Sequence, residues 1–345
     1  MYQSSIISTD FHPDTRAFFK NKKVAVTGGA GFIGSHLVEQ LLELKAHPVV
    51  ITRRQQPAFL STILEKVELK RVDLFDYAAT LTAFKGMDIV ISLAATVAGL
   101  AYNKKHPATI YHQNTQLFLN TIEAVKNADV SHFSTCSSAC VYPRFCTLPT
   151  PEAEGTKDEP EPTNSGYGWA KRMQEYLSIK YAEEFGMKVA IPRPYNGYGP
   201  RDNFDTETSH VIPALIKKAF ETQSDHFEVW GNGEHSRSFL YVDDFARGIL
   251  EVTARYARSD PINIGADEEI TIKELAHIVA KEVSIVRQRE IFPKFNEQGL
   301  TGQPRRKCDV TKISRELQYQ THVQLETGLR KTVAWYFQHE INKTF

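Results

Sequence analysis

The stretch Val24-Ala-Val-Thr-Gly-Gly-Ala-Gly-Phe-Ile-Gly34 runs a short apolar segment straight into a glycine-rich turn and on into the start of a helix. Gly28, Gly31 and Gly34 fall on that turn. Glycine there permits a tight reversal, lets the backbone approach a ligand closely and lets the following helix pack against the strand. The first N–H groups of that helix lack intrahelical partners and face any bound anion, so the turn suits a pyrophosphate. In the first strand–helix unit of a chain the pattern predicts a dinucleotide site.

Outward from the turn the same unit repeats. Strand-like runs at Pro48-Val-Val-Ile-Thr52, Val67-Glu-Leu-Lys-Arg-Val-Asp73, Asp88-Ile-Val-Ile-Ser-Leu93, Ser131-His-Phe-Ser-Thr135 and Lys188-Val-Ala-Ile191 alternate with helical patterns. Those patterns run to Leu44, around Thr80, over 108–126 and over about 166–185. Strand then helix, repeated, predicts an α/β chain with a Rossmann-type doubly wound parallel sheet. After Asn196 the regularity breaks into loop with one helix at 213–222, and further helices are expected at 272–283, 311–317 and 325–338. The expected organisation is an N-terminal extension (1–21), a dinucleotide-binding domain (22–196, with a returning segment at about 237–266) and a smaller mixed α/β substrate-binding cap (197–236 and 267–345). Such a cap covers the strand ends, where open α/β sheets place their ligands.

Hydrophobic residues make up 41% of the 345 positions, enough for a sizeable core. Lysine plus arginine and aspartate plus glutamate number 41 each, so no net field draws nucleic acid or an anionic membrane. Residues 1–22 hold no apolar core of signal-peptide length, and no run is long and apolar enough to span a bilayer, so a cytoplasmic protein is expected. Cys136, Cys140, Cys146 and Cys308 show no CxxC spacing, which predicts free thiols and no metal site.

At the end of the second strand, where an acidic residue usually binds the ribose 2′-hydroxyl of NAD, the chain reads Thr52-Arg53-Arg54. Two guanidiniums can clamp a 2′-phosphate, which favours NADP(H) over NAD(H); the alternative is a solvated arginine pair. Asp73, closing the third strand, is placed to take the adenine amino group, or to act as a turn or cap residue. Farther on, Tyr167-Gly-Trp-Ala-Lys171 sets a phenol and an ammonium on one helical face. A nearby cation lowers a phenol's pKa, so this tyrosine can exchange a proton with a sugar hydroxyl or ketone while hydride moves. Ser138, in Thr135-Cys-Ser-Ser-Ala-Cys-Val-Tyr142-Pro143, can polarise the same oxygen.

The glycine turn, Ser138, Tyr167, Lys171, Arg193-Pro-Tyr-Asn196-Gly-Tyr-Gly-Pro200, Arg237-Ser-Phe-Leu-Tyr-Val-Asp243-Asp244 and Asn263-Ile-Gly265 together resemble the extended short-chain dehydrogenase/reductases. The resemblance runs from Lys22 to about His339 and implies an NAD(P)-dependent nucleotide-sugar epimerase, dehydratase or reductase. It implies catalytic roles for Ser138, Tyr167 and Lys171 and a diphosphate grip by Arg237. The cofactor site then takes in Gly28, Gly31, Phe32, Ile33, Gly34, Arg53, Arg54, Asp73, Leu74, Ala94, Tyr167, Lys171, Pro194 and Asn196, and the two long helices at 108–126 and 166–185 imply a homodimer.

Within the family, dehydratases carry an Asp-Glu pair after the fifth strand, whereas this chain reads Ser137-Ser138-Ala139-Cys140. A cysteine two residues past the serine, followed by Val-Tyr-Pro, resembles the GDP-L-fucose synthase and plant GDP-mannose 3,5-epimerase branches. In both, a thiolate removes protons beside a C4 ketone. His210 stands where the synthases have their acid and the plant epimerases a lysine; Ala94-Ala-Thr-Val-Ala-Gly-Leu100, Glu161-Pro-Thr-Asn164, Trp230-Gly-Asn-Gly and Pro304-Arg-Arg306 also match the synthases. Taken singly, Cys140 reads as a small buried side chain and His210 as a loop histidine. The departures are Ala139, Arg193-Pro-Tyr195 and Thr96, which are expected to line the sugar pocket. The resemblance implies 3,5-epimerisation and 4-reduction of a GDP-4-keto-6-deoxy-hexose with NADPH, the substrate held by Asn196, Lys218, Trp230, Arg237 and Arg306. The alternatives are a redox-neutral epimerase, or a reductase only, acting on a related sugar.

Overall fold

The structure, a computed structural model, describes residues 10–97, 99–205, 208–297 and 303–341. Residues 1–9 of the expected extension, 98 within the segment after the fourth strand, 206–207 before His210, and 298–302 and 342–345 of the expected cap lie outside the described residues.

The chain opens with α1 (Pro13–Phe19), β1 (Lys23–Thr27), α2 (Phe32–Glu43), β2 (His47–Thr52), β3 (Glu68–Arg71), α3 (Tyr77–Phe84), β4 (Ile89–Ser92), α4 (Leu100–Lys105), α5 (Pro107–Asn127), β5 (His132–Thr135), α6 (Ser165–Phe185) and β6 (Lys188–Ala190). The six strands form one parallel sheet of order β3-β2-β1-β4-β5-β6. Val26 stands beside Val50 on one side and Ile91 on the other. Helices cover both faces, so a strand such as β1 is buried along four consecutive residues instead of alternating. Full burial of each such valine or isoleucine is worth about 1.5–3 kcal/mol. The connection from β3 returns across β2 and β1 to β4, which opens the ligand crevice at the carboxyl ends of β1 and β4.

Beyond the sheet come β7 (Pro192–Pro194), β8 (Gly197–Tyr198), α7 (Val211–Glu221), β9 (His226–Trp230), β10 (Ser236–Arg237), β11 (Leu240–Tyr241), α8 (Val242–Arg255), β12 (Ile262–Ile264), β13 (Ile270–Thr271), α9 (Ile272–Arg287), β14 (Phe292–Asn296), β15 (Arg305–Arg306), α10 (Thr311–Leu317) and α11 (Leu325–Tyr336). α7, α9, α11 and β9 enclose a second core that includes Ile216, Val229, Leu275, Val279 and Leu329. β10 pairs in parallel with β15, and this register sets Arg237 beside Arg306.

Two further segments join the sheet's core. In the N-terminal extension Phe11 and Phe19 pack into it, and Thr15 donates to Glu251 of α8 at 2.7 Å. Residues 311–319, expected in the cap, bury Ile313, Leu317 and Tyr319 against that same core, because their apolar side meets α8 and β12.

Candidate active site

Strand ends and loops of the sheet and of the cap converge on one cavity of about 730 Å³. At its floor is the glycine turn. Gly28 has φ +69°, and a Cβ on Gly34 would come within 2.2 Å of the Gly28 carbonyl oxygen, so helix α2 can start this close to β1 only with glycine there. Phe32, Ile33, Leu74, Ala94, Pro194 and Asn196 line the same cavity. At one end Arg54 donates to the Ala30 carbonyl at 3.1 Å and is thereby laid across the turn, while Arg53 and Asp73 stand 4.0 Å apart. A backbone cradle that admits no Cβ, flanked by two guanidiniums, fits a phosphorylated dinucleotide.

Above the cradle, β5 leads into the loop that carries Ser138 and Cys140, and α6 carries Tyr167 and Lys171. All four line the cavity, together with His210 at the N-terminus of α7. The Cys140 N–H donates to Ser138 Oγ at 3.2 Å, and the Asn164 amide donates to Cys140 Sγ at 3.0 Å. Lys171 Nζ donates to the Cys136 carbonyl at 2.7 Å and to Gln174 at 3.0 Å. It lies 5.4 Å from the centre of the Tyr167 ring.

The electrostatics differ from expectation at one point. Lys171 does not lower Tyr167: burial above all, with negative charge on the neighbouring sulfurs adding to it where they ionise, pushes the phenol well up, and burial pulls Lys171 down. The physical reason is that both side chains sit in the cavity wall, where the charged form of each is disfavoured. Tyr167 therefore holds its proton, the state of a donor. Burial also raises Cys136, to about 11, which keeps it a thiol. His210 is exposed along the cavity, yet desolvation first and the charge of Arg306 second lower its pKa. Arg237 is pulled down by burial and by Arg306, so an anion between the two guanidiniums would relieve both.

Among the expected substrate residues, Asn196, Arg237 and Arg306 line the cavity, but Lys218 and Trp230 do not. Lys218 Nζ lies 4.5 Å over the Trp230 ring and donates to the Glu228 carbonyl at 3.2 Å, a pairing on the outside of the cap. Of the three departures, Thr96 and Ala139 line the cavity along with Tyr195. Arg193 does not: it is buried behind the wall, where it makes two bonds of 2.6 Å to Glu175, because a guanidinium so enclosed needs a fixed carboxylate. Sequence reasoning gave no role to Glu161, Asn164, Asp202 or Gln303, all of which line the cavity. Burial pushes Asp202 up to about 7. Their signal in the sequence is weak, since each is a loop polar residue of an ordinary kind.

Among the described residues no group of three or more His, Cys, Asp or Glu side chains is placed to hold a metal, and no helix is long and apolar enough to cross a membrane.

Comparison with known proteins places this geometry. The profile of the NAD dependent epimerase/dehydratase family matches residues 24–265. The probable GDP-L-fucose synthase 1 of Oryza sativa subsp. japonica is 32% identical over 327 residues, 94% of either chain. GDP-mannose 3,5-epimerase 1 of the same plant is 31% identical over 91% of this chain and 81% of its own. In three dimensions, a GDP-L-fucose synthetase from Naegleria fowleri bound to NADP superposes with a TM-score of 0.77 at 25% identity, covering 92% of this chain and 93% of that one.

Proposed function

Because this chain belongs to the NAD dependent epimerase/dehydratase family, we propose that it is a nucleotide-sugar 3,5-epimerase/4-reductase that acts on GDP-4-keto-6-deoxy-mannose or a close analogue with NADPH. The observation that carries this reading is that Cys140 and His210 line the same cavity as Ser138, Tyr167 and Lys171. A C4 ketone acidifies the protons on C3 and C5, and inversion requires a base on one face and an acid on the other. Cys140, as thiolate, takes each proton in turn; the C–H electron pair moves to the C4 oxygen, and His210 returns a proton from the opposite side. A dinucleotide whose pyrophosphate is held at the glycine turn would supply the hydride for C4. Tyr167, held protonated by burial, gives its proton to the C4 oxygen, with Ser138 steadying that oxygen and Lys171 beside it.

Arg53 and Arg54, with no acidic residue at the end of β2, support NADP(H) over NAD(H). Arg237 and Arg306 grip the diphosphate, and Asn196 lies between cofactor and sugar. A homodimer built on α5 and α6 is supported by the apolar side chains they expose, among them Leu119, Trp169 and Tyr176. The cytoplasm is the proposed compartment, since both cofactor and substrate classes are made there. The likeness to GDP-mannose 3,5-epimerase 1 favours, as second reading, a redox-neutral epimerase.

Substitution separates the two half-reactions. Tyr167→Phe is expected to abolish NADPH oxidation while solvent deuterium still enters C3 and C5 of the keto sugar. Cys140→Ser is expected to stop that exchange; exchange at the wild-type rate in this variant would remove the epimerase role.

A further inference from the structure

Asn164 is the N-cap residue of α6. An asparagine there ordinarily turns its side-chain oxygen onto an N–H of the first helical turn. Asn164 makes no such bond. Its Nδ2 donates instead to Cys140 Sγ at 3.0 Å, and its Oδ1 is buried without a hydrogen-bond partner in a residue that lines the cavity. The contact fixes where the sulfur sits, and an amide N–H bonds a charged acceptor more strongly than the weakly accepting sulfur of a thiol.

The rest of the loop is braced so that the contact has a fixed geometry. The Cys140 N–H is held by Ser138 Oγ, and its carbonyl lies against Gly168, where a Cβ would come within 2.5 Å of the oxygen. α6 therefore docks on the backbone of Cys140 while its N-cap side chain reaches the sulfur. Other polar and charged groups that line the cavity include Tyr167 and Lys171 on α6, Glu161 before it, and His210, Arg237 and Arg306 from the cap. None of them takes the place of the amide contact.

We propose that Asn164 is a further catalytic residue: its amide N–H holds the Cys140 sulfur in its charged form, and its buried Oδ1 accepts a hydroxyl of the bound sugar. This rests on the reading of Cys140 as the base. When Cys140 takes the sugar proton, an S–H bond forms, the C–H bond breaks and its electron pair goes to the enolate oxygen at C4; the asparagine gains and loses nothing.

Asn164→Asp keeps the shape of the side chain and replaces the donor by an acceptor. Iodoacetamide is expected to label Cys140 in this variant, followed on its own peptide by mass spectrometry, at least about tenfold more slowly than in the wild type. Deuterium entry at C3 and C5 falls with it, and NADPH affinity stays unchanged. Labelling at the wild-type rate would overturn the proposal. Asn164→Ala removes the amide without adding charge and guards against a folding defect in the first variant; its exchange is expected to fall roughly tenfold, and exchange at the wild-type rate in a variant that still binds NADPH likewise overturns it. Exchange that survives in Cys140→Ser removes the base assignment but leaves the labelling result standing, so the two failures are distinct.

Discussion

In the proposed epimerisation His210 delivers a proton, yet both influences on it, desolvation and the charge of Arg306, lower its pKa and make its acid form scarce as pH rises. Removing Arg306 takes away one of the two. In Arg306→Gln the pKa of His210 therefore rises, and the alkaline limb of the kcat profile for deuterium exchange moves to higher pH; a limb left in place would show that Arg306 does not set the acid. Residues with one chemistry and one partner were legible in the sequence: the glycines, Ser138, Tyr167, Lys171 and Cys140 all line the cavity. Residues whose role depends on what lies opposite were not. Arg193 reads as a pocket residue until Glu175 is seen across from it, and the stacking of Lys218 over Trp230, away from the cavity's lining, has no local signal. Asn164 enters the sequence only as the end of a matching motif, and the 3.0 Å contact to sulfur is what distinguishes it.

Secondary elements divide in the same way. The strands of the parallel sheet are short, apolar and bounded by glycine or polar turns, so their signal is local and survives without tertiary knowledge. α8 has no counterpart among the helices expected from the sequence, although Val242, Phe245, Ala246, Ile249 and Leu250 mark a buried face, because its first turn coincides with the Arg237–Asp244 motif. β9 and β14 pair across the whole of α9, and no local pattern announces a partner at that separation. α5 and α6 were legible as long amphipathic helices, and they pack side by side, Tyr181 donating to Glu123 at 2.8 Å. Their outer face leaves Tyr176 60% exposed. If this face joins two copies, Leu119→Glu with Tyr176→Glu converts a dimer to a monomer in sedimentation velocity while the chain stays folded; a wild type that sediments as a monomer at micromolar concentration would contradict the interface.

At the scale of the molecule, the sheet supplies cofactor and hydride chemistry, and the second core brings His210 and the Arg237–Arg306 pair over the strand ends. The division between them is less simple than the sequence suggested, since residues 311–319 and the N-terminal helix both brace the sheet through α8. In the proposed reaction one cavity performs both inversion and reduction, which is tested by incubating the purified protein with GDP-4-keto-6-deoxy-mannose and NADPH. One NADPH is expected to be oxidised per sugar converted, with a product that NMR shows inverted at C3 and C5 and reduced at C4. A product inverted at C3 and C5 with no NADPH consumed, or one reduced at C4 with C3 and C5 unchanged, would contradict it.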